Sequence, residues 1–355
     1  MIGQRLFRAR KAMGLSLRDL AGQVGLSHAA IKKYEDELVT PSSDVLIKLS
    51  RALNVQVEYF FRSQSPHLED IEYRKRSSLP KKRLEAIEHE VMDQIERRLE
   101  LEDLFPASPL KKFSPVAGLP KNVSDWEQIE EVAELVRTAW QLGYAPIPEL
   151  IDALETHGIR VFMIDAYADP KFDGLAAAVH GMPIVVVGSN WPGDRQRFTL
   201  AHELGHLMLA GRLAEGLDEE LVCNRFAGAF LIPRQSVLQE LGACRSDIEM
   251  RELALLKDEF GISMGGLLYR ARDLGIVSPG WKDQKAREFR RKGWNITEPG
   301  IPYPVEKPHV FEQLVFHALA EDYIGESKAA ELMQIPLTAF HKMRMLEGCS
   351  PSGHQ

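Results

Sequence analysis

Residues 197–206 have the sequence RFTLAHELGH, which contains the pattern HExxH at His202, Glu203 and His206. On a helix, two histidines four residues apart lie on one face, where both imidazoles can bind a single Zn²⁺. Glu203 is placed next to them, where it can accept a proton from water. The flanking residues are mostly apolar, so burying this polar trio without a function would be costly. The pattern therefore predicts a helix that carries two zinc ligands and a general base.

A catalytic zinc site needs a third protein ligand and one position open to water. The metzincin pattern would require glycine and histidine where Leu209 and Arg212 stand, so that class is excluded. The other class takes a carboxylate from a following helix, which we predict over residues 218–233. Glu219 and Glu220 both have the right chemistry, and the small neighbours on its face favour Glu220 only weakly.

The composition is that of a soluble globular protein with two or three domains: 355 residues, 45% hydrophobic and 27% charged. No run approaches the ~20 apolar residues of a membrane span, and the first residues do not form a signal peptide. Cys223, Cys244 and Cys349 are scattered and odd in number, which argues against a disulfide framework and a cysteine zinc site. We therefore expect a cytoplasmic protein that does not bind a membrane.

Charge is distributed unevenly along the chain. Residues 1–62 hold ten Lys or Arg and six Asp or Glu, a net charge of +4, whereas the whole chain carries −7, which leaves −11 for the remainder. A basic segment joined to an acidic one is typical of a nucleic-acid-binding module attached to a non-binding domain.

The basic segment has the pattern of a small helical bundle. We predict helices over residues 2–13, from Ser16, from Ser27 and after Pro41. Gly25 supplies the turn between the second and third helices. This is the arrangement of a helix-turn-helix.

The run LSLRDLAGQVGLSHAAIKKYE, followed by TPSSDVLIKLSRALNV, resembles the XRE (Cro-repressor) family of DNA-binding domains over about residues 1–62. The resemblance implies that the helix from Ser27 enters the major groove of a double-stranded DNA operator. The residues that it places near DNA are Ser27, His28, Ala29, Lys32 and Lys33.

The run RFTLAHELGHLML, followed by ELVCNRFAGAFLIP, resembles the ImmA/IrrE metallopeptidase family over about residues 145–277. The ligand glutamate of that family begins an E-x-x-A-N-x-F-A signature, which makes Glu220 the third ligand in a gluzincin-like site. The resemblance implies one Zn²⁺ per chain on His202, His206 and Glu220, with Glu203 as general base and acid of peptide hydrolysis. Asn224 is a candidate to orient a histidine. Candidates for stabilising an oxyanion are His180, Tyr269 and Arg270.

The fold class that we predict is mainly α with a small β-sheet, that is α+β. Three β-rich runs, at residues 159–164, 175–180 and 183–187, precede the HExxH helix. We expect the last of them to be an edge strand that can pair with an extended peptide. A long amphipathic helix is predicted over residues 69–104, where it would separate the two ends of the molecule and could pair with a second copy in a homodimer.

Boundaries follow from these features and from a Pro/Ser-rich connection at residues 106–122. We predict a helix-turn-helix domain, a linker helix with its connection, a gluzincin-like metallopeptidase domain and a helical tail, at residues 1–65, 66–122, 123–280 and 281–355.

The tail repeats the rhythm of a helix-turn-helix over residues 311–346. Glu321, Asp322, Glu326 and Glu331 make it acidic, so we interpret it as a helix pair for packing or protein interaction.

Both ends combine in the leading hypothesis, a DNA-binding transcriptional regulator with a zinc-dependent endopeptidase domain. In the resembled peptidase family, separate peptidases cleave a partner repressor of the XRE type. This chain would cleave a repressor protein or itself and so switch gene expression in a stress, mobile-element or phage-defence circuit. The alternative is a transcriptional repressor or antitoxin of a toxin-antitoxin system, whose metallopeptidase fold senses a ligand or partner without cleavage.

Overall fold

The computed structural model describes residues 2–61, 81–164, 172–179 and 181–346. They form two compact units. The first unit holds the described residues up to 61, residues 81–109 and residues 309–346, and the second holds the described residues from 110 to 308. The boundaries predicted from the sequence stay predictions. Among the helices in these ranges, none has the length and apolar character needed to cross a bilayer.

Helices dominate the described residues, and the predicted α+β class is confirmed. The helices are α1 (Ile2–Ala12), α2 (Leu17–Val24), α3 (His28–Glu35), α4 (Ser43–Leu53), α5 (Lys81–Glu102), α6 (Trp126–Ala139), α7 (Leu150–Thr156), α8 (Gly193–Leu209), α9 (Glu219–Leu231), α10 (Arg234–Leu241), α11 (Met250–Phe260), α12 (Met264–Asp273), α13 (Pro279–Lys292), α14 (Val310–Ala320), α15 (Glu326–Leu332) and α16 (Leu337–Arg344). The strands are β1 (Arg160–Ile164), β2 (Gly174–Val179) and β3 (Met182–Gly188).

The first unit begins with the predicted helix-turn-helix bundle. Ser16 caps α2, because its hydroxyl accepts a hydrogen bond from the amide of Asp19 while the Asp19 carboxylate accepts one from the amide of Ser16. Gly25 ends α2 in the left-handed conformation, with φ at 70°. The hydroxyl of Ser27 then accepts from the amide of Ala30 and starts α3. Local sequence therefore sets both ends of the turn.

Helix α5 belongs to this first unit as well. Its buried Glu96 carboxylate accepts hydrogen bonds from Arg5 and Arg8 on α1. Further along, Arg97 donates to the carbonyl of Leu332 on α15 at 2.7 Å. The sequence suggested that this helix separates the two ends of the molecule, but it packs against α1 and against the tail helices. The part of the predicted long helix before residue 81 lies outside the described residues.

The second unit contains a three-stranded sheet with the order β1-β3-β2. Strand β3 pairs in parallel with β1 and antiparallel with β2. Val179 pairs with Met182, so β2 and β3 form an antiparallel hairpin, and Gly181, just before β3, has φ at 74°. The expectation that β3 is an edge strand is therefore wrong, because the hairpin occupies one side of it and β1 the other. An extended peptide cannot pair with β3.

The segment after α13 fastens the start of α8. The amide of Gly193 donates to the carbonyl of Tyr303 at 3.1 Å. A β-carbon at residue 193 would lie 1.8 Å from the carbonyl oxygen of Pro304, so only glycine fits there. The guanidinium of Arg197, which is 1% exposed, forms a buried ion pair with Glu306. These contacts fix the first turns of the helix that carries the HExxH pattern.

Glu130 on α6 is the centre of a buried ion-pair network that connects three helices. Arg270 of α12 donates to its two carboxylate oxygens at 2.5 and 2.7 Å, and Arg225 of α9 pairs with it as well. Burial raises the pKa of Glu130, but the hydrogen bonds and charges of Arg270 and Arg225 outweigh burial, so the pKa lies below its ordinary value. The folded unit therefore stabilises the ionised carboxylate.

Replacing Glu130 by Gln should lower the free energy of unfolding by about 3–5 kcal/mol at pH 7, because the buried Arg270 would lose its counter-charge. The folded pKa lies below the ordinary value of 4.5. The stabilisation is therefore present above about pH 4.5 and is lost as the pH falls through the lower folded pKa. Urea unfolding followed by tryptophan fluorescence over a pH series measures this. Glu131→Gln, at an exposed position of α6, is the matched control, and equal stability of the two variants at pH 7 would contradict the prediction.

Candidate metal centre and helix-turn-helix surface

Three side chains with metal-binding groups come together between α8 and α9. The Nε2 atoms of His202 and His206 lie 3.1 Å apart. One oxygen of the Glu220 carboxylate lies 3.6 Å from Nε2 of His202, and the other lies 3.6 Å from Nε2 of His206. The three candidate ligand atoms lie within 4.8 Å of one another. The structure thus brings together the three residues proposed as ligands from the sequence, and their role as ligands stays a prediction.

The opposite nitrogen of each imidazole contacts an oxygen atom. Nδ1 of His202 lies 3.0 Å from Oδ1 of Asn224, and Nδ1 of His206 lies 2.9 Å from Oε1 of Glu219. An amide oxygen and an ionised carboxylate only accept hydrogen bonds, so Nδ1 carries the proton in both rings. In the neutral imidazoles, the Nε2 atoms therefore face each other with their lone pairs.

This donor set fits a divalent cation. Two imidazole lone pairs and a carboxylate that converge on one point repel one another unless a positive charge lies between them. Two imidazole nitrogens and one carboxylate oxygen also make up a common ligand set of catalytic zinc sites. Asn224 and Glu219 would orient the two rings for that purpose, as hydrogen-bonding partners of metal-binding histidines generally do.

Helices α8 and α9 approach each other closely at Gly205. A β-carbon there would lie 3.1 Å from Cδ1 of Phe226 and 3.4 Å from Cα of Cys223, and the first of these distances is tighter than ordinary van der Waals contact. The glycine inside HExxH and the small, buried Cys223 therefore allow the close approach. Without it, the carboxylate of Glu220, one turn before Cys223, would lie further from the histidines.

Glu203 is buried on α8, with 5% of its surface exposed. A β-carbon at Gly174 of β2 would lie 3.8 Å from Cγ of Glu203 and 2.5 Å from Cγ2 of Thr199. Gly174 therefore lets the strand pass close to this part of the helix. This packing holds the Glu203 side chain within the protein instead of in bulk solvent.

The residues of the candidate metal centre are buried on α8 and partly exposed on α9. His202, Glu203 and His206 are 4–6% exposed. The side chains of Glu220 and Glu219 are 37% and 50% exposed. The α9 side of the site is therefore the more exposed of the two, although the Glu220 oxygen nearest His202 is itself buried.

The sequence offered Glu219 only as an alternative to Glu220. In the structure, its carboxylate hydrogen-bonds Nδ1 of His206 instead of approaching the Nε2 atoms. The sequence signal for this arrangement is the pair of consecutive acids at the start of α9, which point in directions about 100° apart, so that only one of them can face the Nε2 atoms. Asn224, the residue proposed to orient a histidine, lies against His202.

The structure shows the contacts of two of the three residues proposed to stabilise an oxyanion. The guanidinium of Arg270 is bonded to Glu130 and to the carbonyl of Ile232, so its contacts are structural. The ring of Tyr269 is half exposed on α12, with the ammonium of Lys282 4.7 Å from its centre. His180 lies outside the described residues.

Two segments of the chain match known families. Residues 154–272 match a peptidase family, M78, described as the IrrE N-terminal-like domain, and residues 6–60 match the family described as Helix-turn-helix. This chain joins a helix-turn-helix domain to an IrrE N-terminal-like peptidase domain. The candidate metal centre and Glu203 lie within the peptidase domain, and α2 and α3 lie within the helix-turn-helix domain.

Similar proteins match the helix-turn-helix domain. An HTH-type transcriptional regulatory protein of Methanocaldococcus jannaschii is 43% identical over 53 residues, 15% of this chain and 17% of the relative. HTH-type transcriptional regulators of Rickettsia prowazekii and Rickettsia conorii are 35% and 33% identical over 60 residues, 17% of this chain and 46% and 48% of those relatives. The chain thus spans less than half the length of each of these relatives. No solved structure matches it.

Helix α3 of the helix-turn-helix domain carries the residues that the resemblance places near DNA. All five are exposed: Ser27, His28, Ala29, Lys32 and Lys33. The ammonium of Lys32 lies 2.7 Å from the Asp36 carboxylate one turn further on, which reduces the positive charge at this point. The start of α3 is exposed and its last turn carries the two lysines, and DNA contact by these residues stays a prediction.

The two glutamates of α9 should differ in their effect on zinc affinity. Glu219→Gln should weaken binding by about 10- to 100-fold, because it removes only an orienting partner, and Glu220→Gln should weaken it further, because it removes a ligand. Competition with a chromophoric zinc chelator measures both. Glu215→Gln, at an exposed position before α9, is the control. Equal affinity in Glu215→Gln and Glu220→Gln would exclude Glu220 as a ligand.

Proposed function

We propose that this chain is a transcriptional regulator that binds a double-stranded DNA operator and cleaves a polypeptide in a zinc-dependent reaction. The observation that carries the peptidase part is the grouping of His202, His206 and Glu220 close to the buried Glu203. The match of residues 154–272 to a peptidase family supports the same reaction. Binding to an operator would place the protein in the cytoplasm.

In this proposal, His202, His206 and Glu220 hold one Zn²⁺ per chain. A bound Zn²⁺ would polarise the scissile carbonyl and lower the pKa of water toward about 7. Glu203 accepts a proton from the attacking water as general base and returns it to the leaving amine as general acid. Asn224 keeps Nε2 of His202 directed at the metal position.

The substrate that we propose is a repressor of the helix-turn-helix type or a second copy of this chain. Residues 106–109, Lys111 and Lys112 are exposed, so this connection is accessible to another copy. The later part is less accessible, because Val116 and Val123 are buried and the amide of Val123 donates to a carbonyl of the α8–α9 connection at 2.7 Å. Cleavage would change expression in a stress, mobile-element or phage-defence circuit.

Replacing Glu203 by Gln should abolish cleavage while zinc stays bound, because an amide cannot accept the proton and the residue is not a ligand. The purified full chain is incubated with Zn²⁺, with and without the product of the neighbouring gene. Mass spectrometry then identifies any new termini, and atomic emission gives the zinc content. Glu215→Gln should cleave like the unmodified chain.

Undiminished cleavage by Glu203→Gln would remove the general base from the proposal. If the unmodified, zinc-loaded chain cuts neither itself nor the neighbouring product, the proposed reaction is wrong. If Glu203→Gln also regulates the operator normally, the alternative takes its place. The chain is then a repressor or antitoxin whose metal-binding domain senses a ligand or partner.

Operator binding through α3 should depend on its basic side chains. Lys33→Ala should weaken binding of all duplexes to a similar degree and reduce the slope of log affinity against log salt by about 1, because one phosphate contact is lost. Fluorescence anisotropy over a salt series measures this slope. Lys48→Ala, an equal charge change at an exposed position of α4, should leave the slope unchanged. A homodimer should show as a complex of two chains per operator in sedimentation.

A further inference from the structure

The last three helices of the first unit repeat the backbone of its first three. Helices α1 and α14 both have 11 residues, α3 and α16 both have 8, and α2 and α15 have 8 and 7. The starts of α2 and α3 are separated by the same number of residues as the starts of α15 and α16. From α2 onward, equivalent positions therefore differ by a constant number.

The tight turn between the helices has the same hydrogen bonds in both copies. The amide of Leu26 donates to the carbonyl of Ala21 at 2.9 Å, and in the tail the amide of Ile335 donates to the carbonyl of Ala330 at 3.1 Å. The residue before each of these amides has a positive φ, 70° at Gly25 and 56° in the tail. The tail holds this left-handed turn without a glycine.

The buried positions also correspond. Ile31 of α3 and Phe340 of α16 occupy the same place and are both 0% exposed. Ala21 of α2 and Ala330 of α15 are both 4% exposed. In the tail, Phe340 stacks on Phe316 of α14. This contact holds α16, which corresponds to α3, against α14, the first helix of the tail. The tail is thus a second helix-turn-helix, not only a helix pair.

The exposed face of α16 corresponds to the face that α3 presents. Positions 28, 29, 32 and 33 of α3 match four exposed residues of α16, namely Leu337, Thr338, His341 and Lys342. None of them is needed for the buried core, and α16 contains no acidic residue. A leucine or threonine methyl group can contact the edge of a base, and a threonine hydroxyl can hydrogen-bond to it. A lysine ammonium can contact a phosphate.

Ion pairs neutralise part of the acidity of the tail. The carboxylate of Glu326 forms an ion pair with Arg344, and it also lies 2.9 Å from Nε2 of His341. Glu331 is buried and pairs with Lys328 at 3.0 Å. Two of the four acids that favoured a protein-interaction role in the sequence are therefore directed at cations of the tail itself.

We propose that α16 is a second DNA recognition helix, so that each chain contacts two major-groove half-sites of double-stranded DNA. This inference rests on the proposed DNA-binding function of the first helix-turn-helix, because the choice of ligand follows from the correspondence with α3. Helix α5 supports both copies, through Glu96 to α1 and Arg97 to α15. In this arrangement, Thr338 and Leu337 face base edges, and Lys342 faces a phosphate.

Photo-crosslinking of the full chain tests the contact. A benzoylphenylalanine replaces Thr338 on α16, Ala29 on α3 or Gln313 at an exposed position of α14, one at a time. The probes are duplexes of about 40 base pairs, long enough for two half-sites, that the unmodified chain enriches from a random pool.

DNA crosslinks from Thr338→benzoylphenylalanine and Ala29→benzoylphenylalanine, with none from the Gln313 variant, are the expected result. Crosslinks from the Ala29 variant alone overturn the second recognition helix and leave the proposed function standing. No DNA crosslink from either variant, or no enriched duplex, overturns both. Crosslinks from the Thr338 variant to a second chain, without any to DNA, assign α16 to protein contact.

Affinity provides an independent measurement. Lys342→Ala should weaken binding to the enriched duplex by about 10-fold and lower the salt slope by about 1, and Lys342→Arg should restore both. Lys307→Ala is the charge-matched control at an exposed position outside the tail helices. If Lys342→Ala and Lys307→Ala bind alike, α16 does not contact DNA.

Discussion

The close packing of α8 against α9 is the constraint on which the candidate metal centre depends. Two histidines on one helix can face a common point, but the third metal-binding group comes from a different helix of the same chain. Gly205 supplies the space for this, since a β-carbon there would lie 3.1 Å from the ring of Phe226. This close packing explains why a glycine stands within the HExxH pattern, between Leu204 and His206. The close packing of the two helices is therefore also what brings the carboxylate of Glu220 near the histidines.

Orientation of the rings adds a second requirement. Asn224 and Glu219, both on α9, hold the Nδ1 atoms of His202 and His206. Helix α9 thus provides the carboxylate of Glu220 and both orienting groups, so one helix surface defines most of the site around the histidines. The start of α8 is fixed separately, through the buried pair of Arg197 and Glu306.

Local patterns predicted much of this structure. Helix caps such as Ser16 and Ser27, the turn glycine Gly25 and the spacing of HExxH depend on residues close in sequence, and the helices and turns that they indicate are present. The choice between Glu219 and Glu220 was different. It depends on which direction a helix faces after packing, so residue type could not decide it, and the resemblance to a known family was needed.

Contacts distant in sequence were not predictable in this way. The central position of β3 follows from which side of it β1 reaches, and nothing in a run of Pro-Ile-Val-Val-Val records that choice. The packing of α5 against both α1 and the tail likewise depends on buried charges such as Glu96, which a helical wheel treats as solvent-facing. The sequence of the tail indicated the helix-turn-helix rhythm, but its left-handed turn lacks the glycine that marks its counterpart, and its acidic residues favoured a role in protein interaction.

The order of segments within the two units has a topological consequence. Among the described residues, the polypeptide leaves the first unit after residue 109 and re-enters it at residue 309. The second unit is thus an insertion held by two covalent tethers. A single break within residues 106–112 would cut one tether only, and the first unit would stay attached through the other. Separation would require a second scission, or the detachment of α14–α16 from α5.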